Sequence, residues 1–187
     1  SLAKALAQYT GHEIWGLDRD ELAVQAALAE GTLARGASLE DLGAADLTFV
    51  CLHPRDTIRF LTGYAGCFRT GAMVADVCGV KSAVVEAHPA LKAAGVRYVG
   101  CHPMAGREFS GFAYAQADLF QGASFIMTPV EGTDPEAERM LEHLARAVGF
   151  GKVVRTTPQP HDRVIAFSSQ LAHVVSSAFV KSPTLQD

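Results

Sequence analysis

Three short runs gather most of the residues able to do chemistry: Cys51-Leu-His-Pro54, Asp76-Val-Cys-Gly-Val-Lys81 and Gly100-Cys-His-Pro-Met-Ala-Gly106. Each begins where a short β-rich stretch ends. In an open α/β sheet the carboxyl ends of the strands border one crevice, and ligands bind there. The third run is the most heavily loaded. It places the imidazole of His102 on the exit from a buried strand, with Ala105 and Gly106 leaving room for a ligand to approach the backbone. An ordinary imidazole titrates near ~6.5, so it is available as a neutral base at neutral pH. The same edge carries Cys51, His53, Cys78 and Cys101, residue types that also bind zinc. No two of them have finger spacing, and Cys101 and His102, adjacent on a strand, point to opposite faces. The cysteines read as small buried hydrophobes, and no metal site is expected.

The elements that must hold these runs follow from an alternation of β-rich and helical stretches. Strands are expected at Glu13–Gly16, Leu47–Leu52, Met73–Asp76, Val96–Gly100, Ser124–Thr128 and Lys152–Arg155. Helices are expected from Ser1 to about Tyr9 and near Glu21–Glu30, Pro54–Phe68, Lys81–Ala93 and Pro135–Val148. Buried strands alternating with helices predict a parallel sheet covered on both faces, and right-handed crossovers make it a doubly wound, Rossmann-like α/β domain. After Arg155 the pattern changes. Thr156-Thr-Pro-Gln-Pro160 is a breaker-rich connection, and Phe167, Leu171, Val174 and Ala178 then recur as a helical stripe. Residues 1–156 are therefore expected to form a dinucleotide-binding domain. Residues 157–187 are expected to open an all-helical domain for substrate binding and dimerisation, starting with a helix at His161.

In a dinucleotide-binding βαβ unit, an acidic residue ending the second strand binds the adenosine ribose, ~20 residues past a glycine-rich turn. Leu17-Asp18 ends the first strand seen here. Counting back, the glycine-rich turn and the strand leading into it are expected to lie outside these residues. Asp18 favours NAD, because its carboxylate accepts from a 2′-hydroxyl and repels a 2′-phosphate; the neighbouring Arg19 leaves NADP open. Ser1 falls at the start of the first helix, where backbone N–H groups meet a pyrophosphate. Leu52, His53 and Pro54 follow a strand end on the adenosine side and are expected to neighbour the cofactor.

Several runs, in order, resemble the prephenate dehydrogenase family: Leu17-Asp18, the Asp76…Val80-Lys81 turn, and His102-Pro-Met-Ala-Gly106 with Glu108 and Ser110-Gly111. The Pro160-His-Asp162…Ser169-Gln-Leu-Ala-His173 helix completes the set. Singly these motifs are weak; together they span nearly the whole chain. The resemblance implies oxidative decarboxylation of prephenate, or of arogenate, with hydride transfer to NAD or NADP in tyrosine biosynthesis. It implies that His102 accepts a hydrogen bond, and then the proton, from the ring hydroxyl. It assigns His173, Gln170, Gly106 and Ser110 to the substrate, and Cys78 and Gly79 to the nicotinamide side. Many relatives carry a serine where Gly79 stands, its hydroxyl bridging histidine, substrate and nicotinamide. Here a water or the Cys78 thiol is expected to substitute, or the bridge is absent. Lys81 reads as the opening of the next helix, and Asp162 as a first-turn residue suited to the helix dipole as much as to function. The family further implies a homodimer formed through the helical domain.

Composition excludes other classes. A net charge of −4 gives no electrostatic reason for a nucleic-acid or anionic-membrane partner. No apolar run approaches the ~20 residues of a membrane helix. Four cysteines without a C-x-x-C pair read as reduced thiols of a cytoplasmic protein. The competing non-enzymatic reading is a nucleotide-binding sensor or truncated relative, for which His102 and its loop would have no use.

Overall fold

The computed structural model describes residues 1–107, 109 and 111–180, with the backbone alone for residues 169, 170, 172, 173, 179 and 180. Helix α1 (Leu2–Tyr9) leads to strand β1 (Trp15–Gly16), helix α2 (Glu21–Ala29) and strand β2 (Arg35–Gly36). Then come β3 (Leu47–Val50), α3 (Pro54–Gly63), β4 (Met73–Asp76), α4 (His88–Ala93) and β5 (Arg97–Pro103). β6 (Ser124–Thr128), α5 (Pro135–Ala147), β7 (Lys152–Arg155), α6 (Pro158–Ile165) and α7 (Leu171–Val180) complete the order. β1 and β2 pair in parallel, and β3-β4-β5-β6-β7 form a second sheet in that order.

Strand residues alternate between two cores because successive side chains leave a strand on opposite faces. Met73, Ala75, Val99, Cys101 and Met127 enter one core with Ala5 and Leu6 of α1 and Leu141 and Ala145 of α5. Val74 and Tyr98 enter the other with Leu61 of α3 and Leu91 of α4. A sheet covered on both faces needs apolar side chains at consecutive strand positions, which is why β4 is buried at all four. Fully burying a side chain such as Leu61, Val74 or Met127 contributes roughly 1.5–3 kcal/mol. This is the doubly wound, Rossmann-like α/β architecture.

The sheet departs from the wholly parallel expectation at one place. β3, β4 and β5 are parallel, but β6 runs antiparallel to β5, and β7 is parallel to β6. A parallel return needs a crossover of a dozen or more residues, usually a helix. The described part of the β5–β6 connection holds only two short 3-10 turns, Phe112–Tyr114 and Ala117–Phe120. β5 is also longer than the Val96–Gly100 expected. Its first half pairs with β4 and its second half, from Gly100 to Pro103, pairs with β6. That second pairing carries His102 on a ladder rather than in a loop.

Other boundaries differ for local reasons. β2 has two residues and no apolar run to announce it. β3 stops at Val50, because Pro54 at the first turn of α3 and His53 at its N-cap claim the following residues for the helix entry. The helix expected over Lys81–Ala93 is a 3-10 turn at Val84–Ala87 followed by α4, which has Pro89 in its first turn. Proline lacks the N–H that a continuous α-helix would need there. α6 begins at Pro158 with Thr157 as N-cap, so the helix starts before the His161 expected. A π turn at Ala166–Gln170 joins α6 to α7.

Gly100 is required where β5 changes partners. A Cβ there would lie 2.6 Å from Thr128 Oγ1 and 3.4 Å from both Asp76 Oδ2 and the Tyr98 hydroxyl. Gly100→Ala should destabilise by about 1–3 kcal/mol, the usual cost of overpacking. Adding Thr128→Ala, which removes the nearest obstacle, should recover part of that loss. Urea midpoints of the single and double variants check this; a harmless Gly100→Ala would contradict the packing.

Candidate active site

The site forms on the face of the sheet shared by Asp76, Tyr98, Gly100 and His102. Its foundation is a buried ion pair. Lys81 and Asp76 are 1% and 0% exposed and meet directly. The Lys81 Nζ also donates to the Cys101 carbonyl at 2.6 Å, the Tyr98 hydroxyl donates to Asp76 Oδ2 at 2.6 Å, and the Cys78 N–H donates to Asp76 Oδ1 at 2.9 Å. Lys81 is thus a core residue and not the helix-opening residue expected. The Asp76 carboxylate cannot stay buried without a counter-charge, and Lys81 supplies it. Burial, with Asp76 alongside, pushes the Tyr98 phenol far above its ordinary range.

The turn from Asp76 to Lys81 folds tightly over this pair and lays Gly79 against His102. A Cβ at Gly79 would sit 3.5 Å from His102 Nε2. The Cys78 thiol cannot replace a hydroxyl there. It is buried in the opposite direction, 3.3 Å from Thr57 Oγ1 and 3.4 Å from the Leu52 carbonyl. Only the backbone of Cys78 borders the site, and burial raises the thiol's pKa.

His102 meets a partner that sequence reasoning did not place. Its Nδ1 lies 2.9 Å from Nε2 of His161 on α6, and His161 Nδ1 lies 2.8 Å from Asp162 Oδ1. Asp162 also accepts from the backbone N–H of Lys81 and of Ser82, each at 2.8 Å. It sits past the first turn of α6 and reaches across to the turn after β4, so it does more than complement a helix dipole. Burial works against its ionisation, but the hydrogen bonds from His161 and from the Ser82 and Lys81 backbone prevail, and its carboxyl falls to about 2. His102 is held down to about 4, first by burial and then by the proximity of His161 and Lys81, with Asp76 and Asp162 opposing. It is therefore neutral at pH 7. The only signal for His161 in the sequence was its place in the Pro160-His-Asp162 run.

The remaining candidates are distributed as follows. Ser1 is the N-cap of α1, and its hydroxyl accepts from the Gln116 N–H at 3.1 Å. Asp18 and Arg19 are exposed after β1, and Asp18 Oδ1 accepts from the Asp20 N–H at 2.9 Å, leaving Oδ2 without a partner among the described residues. Leu52 and His53 are exposed at the end of β3, and Pro54 begins α3. Gly106 is exposed with nothing within 4 Å of a Cβ built there. Ser110 and Glu108 lie outside the described residues. Gln170 ends the π turn and His173 lies in α7, but their side chains lie outside the described part. Among the described residues no three His, Cys, Asp or Glu side chains come together as metal ligands. No helix among them is long and apolar enough to cross a membrane.

A doubly wound domain with an acidic residue ending an early strand and an imidazole over the strand ends is the nucleotide-binding domain of a dehydrogenase. Residues 2–154 match the family model described as prephenate dehydrogenase, nucleotide-binding domain, and the chain belongs to that family. It is 33% identical over 108 residues to the prephenate dehydrogenase of Bacillus subtilis, covering 58% of this chain and 29% of that protein. Prephenate dehydrogenase from Aquifex aeolicus, solved with hydroxyphenyl propionate and NAD+, superposes with a TM-score of 0.87 at 28% identity, over 96% of this chain and 63% of that one. Synechocystis arogenate dehydrogenase superposes with a TM-score of 0.84 at 28% identity, over 100% and 68%. The chain spans less than half the length of the curated relatives it matches.

The depressed His102 carries a stability signature. Its folded-state value of about 4 lies below the ordinary 6.5, so between these values the unfolded chain binds more protons at this residue. Its contribution to stability is full above 6.5 and is lost as pH falls towards 4. His102→Gln should flatten that part of the stability curve relative to the parent. Denaturant midpoints at intervals from pH 4 to 7 test it; parallel curves for the two proteins would count against a neutral buried His102.

Proposed function

We propose that this chain is the nicotinamide-binding part of an NAD-dependent prephenate dehydrogenase, with His102 as the general base. The observation that carries this reading is a half-buried, neutral imidazole at the end of β5 whose Nε2 lies beside Gly79. The residues present fit a nicotinamide dinucleotide. Asp18 offers an unused carboxylate oxygen to a ribose, and Leu17, Leu52 and Val80 remain exposed at strand ends, 39–47% accessible, as apolar surface for the rings. Bound NAD supplies a hydride acceptor.

The chain's own contribution is to take the proton. His102 Nε2 accepts a hydrogen bond from the hydroxyl on the ring carbon that gives up hydride, and takes its proton as that carbon is oxidised. The C–C bond to the ring carboxylate breaks, its electron pair aromatises the ring, carbon dioxide leaves, and the proton returns to the oxygen. Gly106 and Ser110, with Gln170 and His173, are assigned to substrate contact. Residues 157–187 are assigned to the start of a helical domain through which the whole enzyme dimerises. The similarity to an arogenate dehydrogenase supports the second reading, in which the same chemistry gives tyrosine.

NADH formation by the full-length protein, offered prephenate and arogenate separately, tests the assignment. Turnover of either is expected; binding of NAD without turnover of either would point to a nucleotide-binding sensor or to a different acid substrate. His102→Asn should lower kcat by ~10²-fold or more while NAD still binds. Asp18→Ala should weaken NAD more than NADP, and equal loss of both would make Asp18 a structural residue.

A further inference from the structure

The three side chains His102, His161 and Asp162 lie in one hydrogen-bonded line. The backbone N–H groups of Lys81 and Ser82 only donate, and they occupy both oxygens of Asp162. Asp162 is therefore an ionised acceptor, and the His161 Nδ1 facing it at 2.8 Å carries the hydrogen. A neutral imidazole with hydrogen on Nδ1 presents a lone pair at Nε2. With both rings uncharged, His102 Nδ1, 2.9 Å away, donates to that lone pair, and the lone pair of His102 is on Nε2. That is the nitrogen beside the Gly79 turn, where a glycine leaves it uncovered.

We propose that His161 and Asp162 are positioning residues that lock His102 into the Nδ1–H tautomer, so that its Nε2 lone pair is the one that accepts the substrate hydroxyl proton. This rests on the reading of His102 as base given above. As the O–H bond breaks, an N–H bond forms at His102 Nε2. The Nδ1 hydrogen of His102 stays in its bond to His161 Nε2, and His161 in turn stays bonded to the Asp162 carboxylate. When the aromatic product forms, the proton returns to oxygen and all three side chains recover their starting state. Hydride and electron balance are those of the reaction already described.

The charged and titratable groups around His102 are consistent with this division of labour. His161 and Asp162 face it from α6, Asp76 from β4, and Lys81 from the turn after β4. Lys81 is committed to Asp76 and to the Cys101 carbonyl, so it is not a proton donor to the ring. Cys101 is buried on the other face of β5. Asp162 is the carboxylate joined to His102 through a hydrogen-bonded chain, and it also ties α6 to the turn that carries Gly79.

The test is made on the full-length protein with ¹⁵N-labelled histidine, read by NMR without substrate. At pH 7 His102 should show a protonated Nδ1 and an unprotonated Nε2; the opposite tautomer would overturn the proposal. Two variants add an independent arm. His161→Leu removes the acceptor, and should lower kcat by about 10²-fold, mix the His102 tautomers and move the acid limb of kcat/KM to higher pH. His161→Gln offers an amide oxygen to Nδ1, and should retain the tautomer and recover much of the rate. Equal losses in both variants, with tautomer and acid limb unmoved, would make His161 a packing residue and refute the idea. The tautomer measurement needs no turnover, so it still decides if prephenate and arogenate both prove inert.

Discussion

The Asp76–Lys81 pair is the constraint on which the site depends. Each ion placed in a protein interior costs several kcal/mol unless a counter-charge and further hydrogen bonds receive it. Here the counter-charge comes from five residues along the same chain, and Tyr98, the Cys78 N–H and the Cys101 carbonyl complete both shells. Satisfying the pair fixes the path of the intervening turn. With Lys81 drawn inside, Gly79 lies against His102 and the N–H groups of Lys81 and Ser82 point to Asp162. Ion pair, glycine turn and helix α6 therefore form one structure, joined at its centre by the imidazole of His102.

The pair also shapes the electrostatics without touching substrate. Lys81 and Asp76 act on His102 in opposite directions, and burial dominates both. The low value of His102 follows from partial burial first and from the proximity of His161 and Lys81 second. The Asp162 carboxylate at the far end of the chain stays ionised through its hydrogen bonds from His161 and from the Ser82 and Lys81 backbone.

Much of this was legible in the sequence. β4, β6 and β7 stand where their apolar runs placed them, and in β4 burial on both faces makes that local signal dense. His102 announced itself through its loop. What escaped was non-local. Nothing within a few residues of Ser124 reports that β6 pairs antiparallel with β5. Lys81 read as the opening of a helix because its partner's burial is a property of the folded sheet. The contacts of His161 and Asp162 span 59 to 81 positions of chain, and a dipeptide near a helix start carries no local mark of such reach.

The register of β5 has a mechanical consequence. His102 and Pro103 pair with Ile126 and Phe125, so the imidazole rides on a sheet rather than on a loop. Sheet strands fluctuate as part of the whole core, whereas loops and helix ends move independently on faster scales. His102 is thus the stationary reference of the cleft. Any adjustment of the cleft falls to the exposed residues Met104, Gly106 and Arg107 that follow Pro103, while the imidazole keeps its place on the sheet.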